Sequence, residues 1–457
     1  MTLPRRDIGG YRRTCDGAAR CSLLVLLAFA SFARTATADR VVVESKTLTR
    51  LHDPVVVRTG LLSGVPDRAT ARYRLYAARQ GALVAIPFQF DARGADGELV
   101  LSTDGADVDF TFDDDDELVF MAKDTGDRLG SSGLPTGSDA ALEVRVTDRT
   151  RTQEGWAYLV HFPADPPPRS PIRYATFDPN RQEARALSYE VSYSHEPSNY
   201  LAAVRVPASA GGTGENLFER VMMRISPTFS LFVTTWRATF TERSFAVVPD
   251  GLKNGPVRAI RRIRQSLDLG RAFPDIPNGR VYTYYYASSF TTPSKFSIPW
   301  LVLKTLRAFD FEAVARLGTP AAGMRYWDAS NLDGVAFSGE TRPTGGDGDH
   351  DWWAIGSGSG TCLSALLIPD EWRKWGIRRG IVFQDRGGSD VGAGYSLLSM
   401  TKLRRAGAYD IATAMVMLPR AYRPGDESEA LAAFRDPLEV GVEPLARDGA
   451  VARRAVP

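Results

Sequence analysis

Three stretches of this chain carry residue types that can do chemistry. Residues 345–360, GGDGDHDWWAIGSGSG, place Asp347, Asp349, His350 and Asp351 ahead of Trp352 and Trp353 on a glycine-rich segment. Histidine occurs only at 52, 161, 195 and 350, and His350 is the one set in a polar run rich in glycine and aspartate. Such a loop could ligate a metal, move a proton or offer a stacking rim to a sugar. The plainer alternative is a polar hairpin whose tryptophans bury into the core.

The second stretch pairs arginines with tyrosines. In GPVRAIRRIRQSL (255–267), Arg258, Arg262 and Arg264 share a period of two with Ile260; in VYTYYY (281–286), Tyr282, Tyr284 and Tyr286 share one. On neighbouring strands these would form an aromatic platform beside guanidinium groups. That surface suits a sugar bearing a carboxylate, which arginine grips through two parallel N–H bonds. In an enzyme, His350 or Tyr284 would be the base and the arginines would neutralise the carboxylate. Otherwise the face is solvated, as long side chains on sheets commonly are.

The third is acidic. Asp104, Asp107 and Asp109 precede an unbroken run, Asp113, Asp114, Asp115, Asp116 and Glu117. Hard oxygen ligands in this number suit calcium, with Asp107, Asp109, Asp113 and Asp115 as the candidate ligands. The spacing departs from the EF-hand loop: Gly105 comes too early and the closing glutamate is missing. An acidic turn that stops a strand edge from pairing is the alternative. Nucleophile-elbow, phosphate-loop, dinucleotide and HExxH patterns do not occur.

These residues need elements to hold them. The acids lead into Leu118, Val119, Phe120, Met121 and Ala122, an apolar burst too short for a helix and therefore a buried strand. With 457 residues, 41 glycines, 28 prolines and short Val-, Tyr-, Phe- and Thr-rich runs, the chain reads as all-β and two-domain. Residues 39–165 form an amino-terminal β-sandwich, in which Pro87 forces an edge or a bulge on the strand 83–90. The proline cluster PADPPPRSP (163–171) ends that sandwich, with 166–171 as a semi-rigid linker. Residues 172–445 form a larger sandwich or supersandwich, with one helix expected over 298–317, and 446–457 form a loose tail.

The leading residues 1–38 have six arginines, an apolar stretch from Cys21 to Ala33 and the small residues Ala36, Thr37 and Ala38. This is the pattern of a cleaved export signal, which places the mature chain in the periplasm or outside the cell with no membrane-spanning segment. Beyond residue 38 there are 50 bases against 52 acids, so no basic field exists for nucleic acid. Cys362 would then be the only cysteine of the mature chain, and its apolar neighbours mark it as a buried strand residue.

The phrase GPVRAIRR (255–262) resembles a strand of secreted β-supersandwich proteins of the galactose-mutarotase-like kind, which handle carbohydrate. IPFQFD (86–91) with DELVFMAKDTGD (116–127) resembles the amino-terminal sandwich of bacterial secreted relatives. The resemblance implies the fold more than any reaction. The sequence thus predicts an exported protein that binds carbohydrate or another small ligand, with calcium as the cofactor the acidic run would take. Its rivals are a lyase-like enzyme on uronate-containing glycan and a structural envelope protein without ligand.

Overall fold

The structure is a computed structural model that describes residues 42–130, 135–231, 233–267, 276–298, 300–316, 323–337, 351–358, 360–375, 377–384, 392–401 and 407–445. The leader 1–38, His350 and the tail 446–457 lie outside the described residues. What is described is all-β, built from antiparallel sheets with a few short helices.

The expected buried strand is Glu117–Met121, and every residue in it is buried. It lies between Pro54–Arg58 and Gln89–Asp91 in a three-stranded sheet. Leu118 and Phe120 point into a sandwich core shared with Leu75, Val144 and Leu159 of a five-stranded sheet. The alternate residues, Val119 and Met121, pack on Tyr174, Val257, Tyr286 and Ala287. A strand between two apolar layers needs both faces hydrophobic, which explains the unbroken LVFM run.

Pro87 marks a change of sheet. Ala82–Ala85 ends as an edge strand of the five-stranded sheet, and Gln89–Asp91 begins as an edge strand of the three-stranded one. The missing N–H thus falls where the chain leaves one ladder for the other. The five-stranded sheet is completed at its far edge by Glu439–Pro444, which pairs with Ala140–Asp148. Its Val440 and Val442 pack on the amino-terminal core, so this last strand joins the first sandwich rather than the larger one it was grouped with.

Beyond the proline cluster, a four-stranded meander (residues 175–205) covers one face of a nine-stranded sheet. In that sheet the order runs from Phe245–Asn254 through Ala259–Leu267, Ile276–Tyr285, Ser289–Ile298, Gly407–Leu418, Gly360–Leu367 and Trp352–Ser357 to Arg325–Asp328 and Val335–Ala336. The opposite face meets the amino-terminal sandwich at one end and the helical segments around 426–435 at the other. A further sheet contains Arg220–Leu231 and Leu306–Arg316. Of the helix expected over 298–317, only Trp300–Thr305 is helical; Ile298 ends the strand before it and Leu306–Arg316 is strand. Phe309 and Phe311 alternate with Asp310 and Glu312, a period of two that selects strand over helix. Among the described residues no helix is long and apolar enough to cross a membrane.

Candidate functional site

The arginine and tyrosine strands are neighbours, as the platform requires. Arg262 is registered opposite Tyr282 and Ile260 opposite Tyr284, with the Tyr282 and Tyr284 rings stacked at 5.9 Å. What covers them divides the face into two parts with different properties.

The inner part is closed. Arg258 is buried and donates from Nε to Asp91 Oδ2 at 2.9 Å, from one terminal nitrogen to Glu117 Oε2 at 2.7 Å and from the other to the Tyr286 hydroxyl at 3.1 Å. Lys253 Nζ stands 3.0 Å from Asp91 Oδ1 and 3.1 Å from Asp107 Oδ1. Gln89 joins the two layers, its Oε1 accepting the Val257 and Arg258 N–H groups at 3.0 and 2.9 Å. Gly255 is needed for that approach, since a Cβ there would lie 2.1 Å from Gln89 Oε1. Burial alone would raise the Asp91 pKa, but Arg258 and Lys253 outweigh it and hold the carboxyl below its ordinary value. Arg258 and Tyr286 are therefore not surface residues; they fasten the amino-terminal sandwich to the nine-stranded sheet. The phrases GPVRAIRR, IPFQFD and DELVFMAKDTGD all meet here. Burial, against the opposing pull of Arg258, raises the Tyr284 pKa, which works against that hydroxyl as a base.

The outer part is open. Arg262 Nε, Arg264 Nε and Arg280 Nε lie 2.8, 3.0 and 3.5 Å from the carboxylate of Asp250. Arg264 and Arg280 are 63% and 43% exposed. Arg262 donates from a terminal nitrogen to the Asp250 carbonyl at 3.2 Å, so the pair is held through backbone as well as charge. Arg262 also donates to the Leu99 carbonyl at 2.8 Å and to the Tyr282 hydroxyl at 3.2 Å, and Tyr282 donates to Glu98. Arg280 has no place in the period-two face of 255–267, so sequence reasoning missed it; only the pairing of the two strands brings it in.

The tryptophans are not a rim. Strand alternation sends Trp353 into the core beneath the meander and Trp352 to the other face, stacked on Tyr422 at 5.7 Å. Both are buried. Exposed tryptophan surface lies instead at Trp236, 49% exposed and stacked on Phe229 at 4.5 Å, and at Trp300, 57% exposed.

The acidic run does not gather on one point. Asp107 faces Lys253, Asp109 accepts from Thr70 Oγ1 at 3.1 Å and from Arg169, and Asp114 pairs with Arg68 at 2.8 Å. Asp113 accepts the Asp115 N–H at 3.0 Å, and Asp116 accepts the N–H groups of Arg93 and Asp113 at 2.6 and 2.8 Å. Among the described residues no group of three or more His, Cys, Asp or Glu is arranged to hold a metal ion. These acids neutralise cations and cap their own turns, which is why the spacing matched no calcium loop. Cys362 is buried, and burial raises its thiol pKa, as an inert core residue requires.

Two further polar residues meet where the amino-terminal sandwich reaches the nine-stranded sheet: His52 Nδ1 lies 2.6 Å from Ser288 Oγ. Neither stands in a recognisable motif, and they are 236 residues apart.

No family model matches the sequence, and no curated protein matches it. Among solved structures the chain is similar to an α-mannosidase from Enterococcus faecalis V583, with a TM-score of 0.46 and 9% identity over 88% of this chain and 46% of that one. It is also similar to a glycosyl hydrolase family 38 protein from Enterococcus faecalis, with a TM-score of 0.44 and 10% identity over 88% and 47%. The chain spans about half the length of these structures. A likeness at these scores is too slight to carry an argument about fold or activity.

Proposed function

We propose that this is an exported binding protein for a small carboxylate-bearing ligand of the acidic-sugar class, held at the rim formed by Arg262, Arg264, Arg280 and Tyr282. The observation that carries the reading is the convergence of three guanidinium groups on one carboxylate at an open sheet edge, beside stacked tyrosines. Arg264 engages Asp250 through Nε alone, and an arginine used on that side still has its terminal nitrogens for a ligand carboxylate; Arg280 also sets a terminal nitrogen 3.5 Å from the exposed Asp96 carboxylate, a contact that a ligand carboxylate would replace. Export rests on the Arg-rich, apolar and small-residue pattern of 1–38. The galactose-mutarotase-like resemblance is compatible with this reading and adds no residue to it.

The test is titration calorimetry of residues 39–457 against uronate-containing and neutral oligosaccharides. Binding is expected for the uronates alone, and it should be lost in Arg264→Ala/Arg280→Ala while the melting temperature holds. A lyase would in addition produce the ultraviolet absorbance of unsaturated uronate. The locked Arg258–Tyr286 half favours a second reading, a structural envelope protein without ligand. Failure of every oligosaccharide to bind would favour that reading and overturn the first.

A further inference from the structure

We propose that His52 and Ser288 form a base–nucleophile pair that hydrolyses short-chain acyl esters, a site separate from the arginine rim. Ser288 lies in the tight turn between Ile276–Tyr285 and Ser289–Ile298, closed by the Tyr286 N–H donating to the Ser289 carbonyl at 2.8 Å. Neighbouring backbone fixes that turn on both sides: the Ser188 N–H donates to the Ala287 carbonyl at 3.0 Å and the Met417 N–H to the Ser288 carbonyl at 2.9 Å. The serine hydroxyl is thus presented by a rigid support, as a nucleophile needs.

His52 is held as firmly. Arg50 bridges the buried Asp53 and Asp148, and the Asp53 carbonyl accepts the Ala122 N–H at 3.0 Å, which fixes the loop on either side of the ring. The 2.6 Å contact to Ser288 Oγ is within reach for proton transfer. Burial lowers the His52 pKa, which keeps the imidazole neutral and able to accept a proton. Glu429, Asp53 and Asp426 act on the ring in the opposite sense and Lys123 in the same sense as burial, and the net direction is down. Ser288 is 8% exposed, so little of the residue meets solvent and a bulky acyl group has no approach to it.

In the reaction Ser288 Oγ bonds to the ester carbonyl carbon while its proton passes to His52. The carbon–oxygen bond to the alcohol then breaks, and the alcohol leaves with the His52 proton. Water, deprotonated by His52, cleaves the acyl-serine to release the acid and restore the hydroxyl.

The experiment treats residues 39–457 with a fluorophosphonate probe and maps the label by peptide mass, alongside p-nitrophenyl acetate turnover. Label on Ser288 is expected in the folded wild type. Turnover should fall to background in Ser288→Ala and by roughly a hundredfold or more in His52→Ala, with circular dichroism unchanged. A wild-type protein that carries no label on Ser288, or that acylates surface lysines only, overturns the proposal without reference to any variant. So does turnover that survives in Ser288→Ala.

Discussion

Arg258 shows how much one buried side chain can decide. It neutralises Asp91 and Glu117 from a position closed to solvent, and both carboxylates are buried with it. Removing one partner of such a group leaves charge stranded in a low-dielectric site. Arg258→Met should therefore cost about 3–5 kcal/mol in urea unfolding. A pH dependence follows from Asp91. Its folded pKa is depressed, so the stability it contributes is present above about pH 4, the unfolded carboxyl value, and is lost as pH falls through the folded one. Asp91→Asn should flatten the acid limb of the stability–pH curve, even though it lowers stability at neutral pH; an unchanged limb would count against this assignment. The period of two in 255–267 correctly put Arg258, Arg262 and Arg264 on one face. It could not show what covers that face, because the partners Asp91 and Glu117 lie 167 and 141 residues away. Where a face is covered is a long-range fact, and pattern alone reports only the near one.

At the scale of elements, Glu117–Met121 joins two cores through its alternate faces. Leu118 and Phe120 serve the amino-terminal sandwich, and Val119 and Met121 serve its seat on the nine-stranded sheet. Met121→Ala should cost about 2–5 kcal/mol, as deletion of a fully buried methionine side chain does. Val56→Ala, on the paired strand but 39% exposed, should stay within about 0.5 kcal/mol. Equal losses in chemical denaturation would mean that Met121 is not at a packed junction. This strand was legible because five apolar residues between turn signals admit few other structures. Leu306–Arg316 was not, because its first residues follow a proline and a short helix, and the Phe309–Glu312 alternation was outweighed by the length of the apolar run. Trp352 and Trp353 follow the plainer of their two readings: the strand begins at the first tryptophan itself, and its alternation buries one ring on each face.

Across the whole molecule, the chain closes on its own beginning. Glu439–Pro444 completes the first sandwich, and Arg50, near the start of the described chain, donates to the Asp436 carbonyl at 2.7 Å. The proline cluster is itself tied back, with Arg169 paired to Asp109 and placed over the Phe88 ring. A fragment of residues 39–171 would lack its edge strand, expose Val119 and Met121, and leave Asp91 and Glu117 without Arg258. Such a fragment loses apolar burial and gains unpaired buried charge together, so it should not fold alone. Residues 39–457 should instead unfold in one calorimetric transition, because the two sandwiches share the seat of Val119 and Met121 on Val257 and Tyr286 and the buried charges around Arg258. Adding a peptide of residues 436–445 to the fragment should not rescue it, since the charges at the seat would remain unpaired. Two well-separated transitions in the intact protein, or a fragment with a cooperative melt of its own, would show that the two sandwiches are independent domains after all.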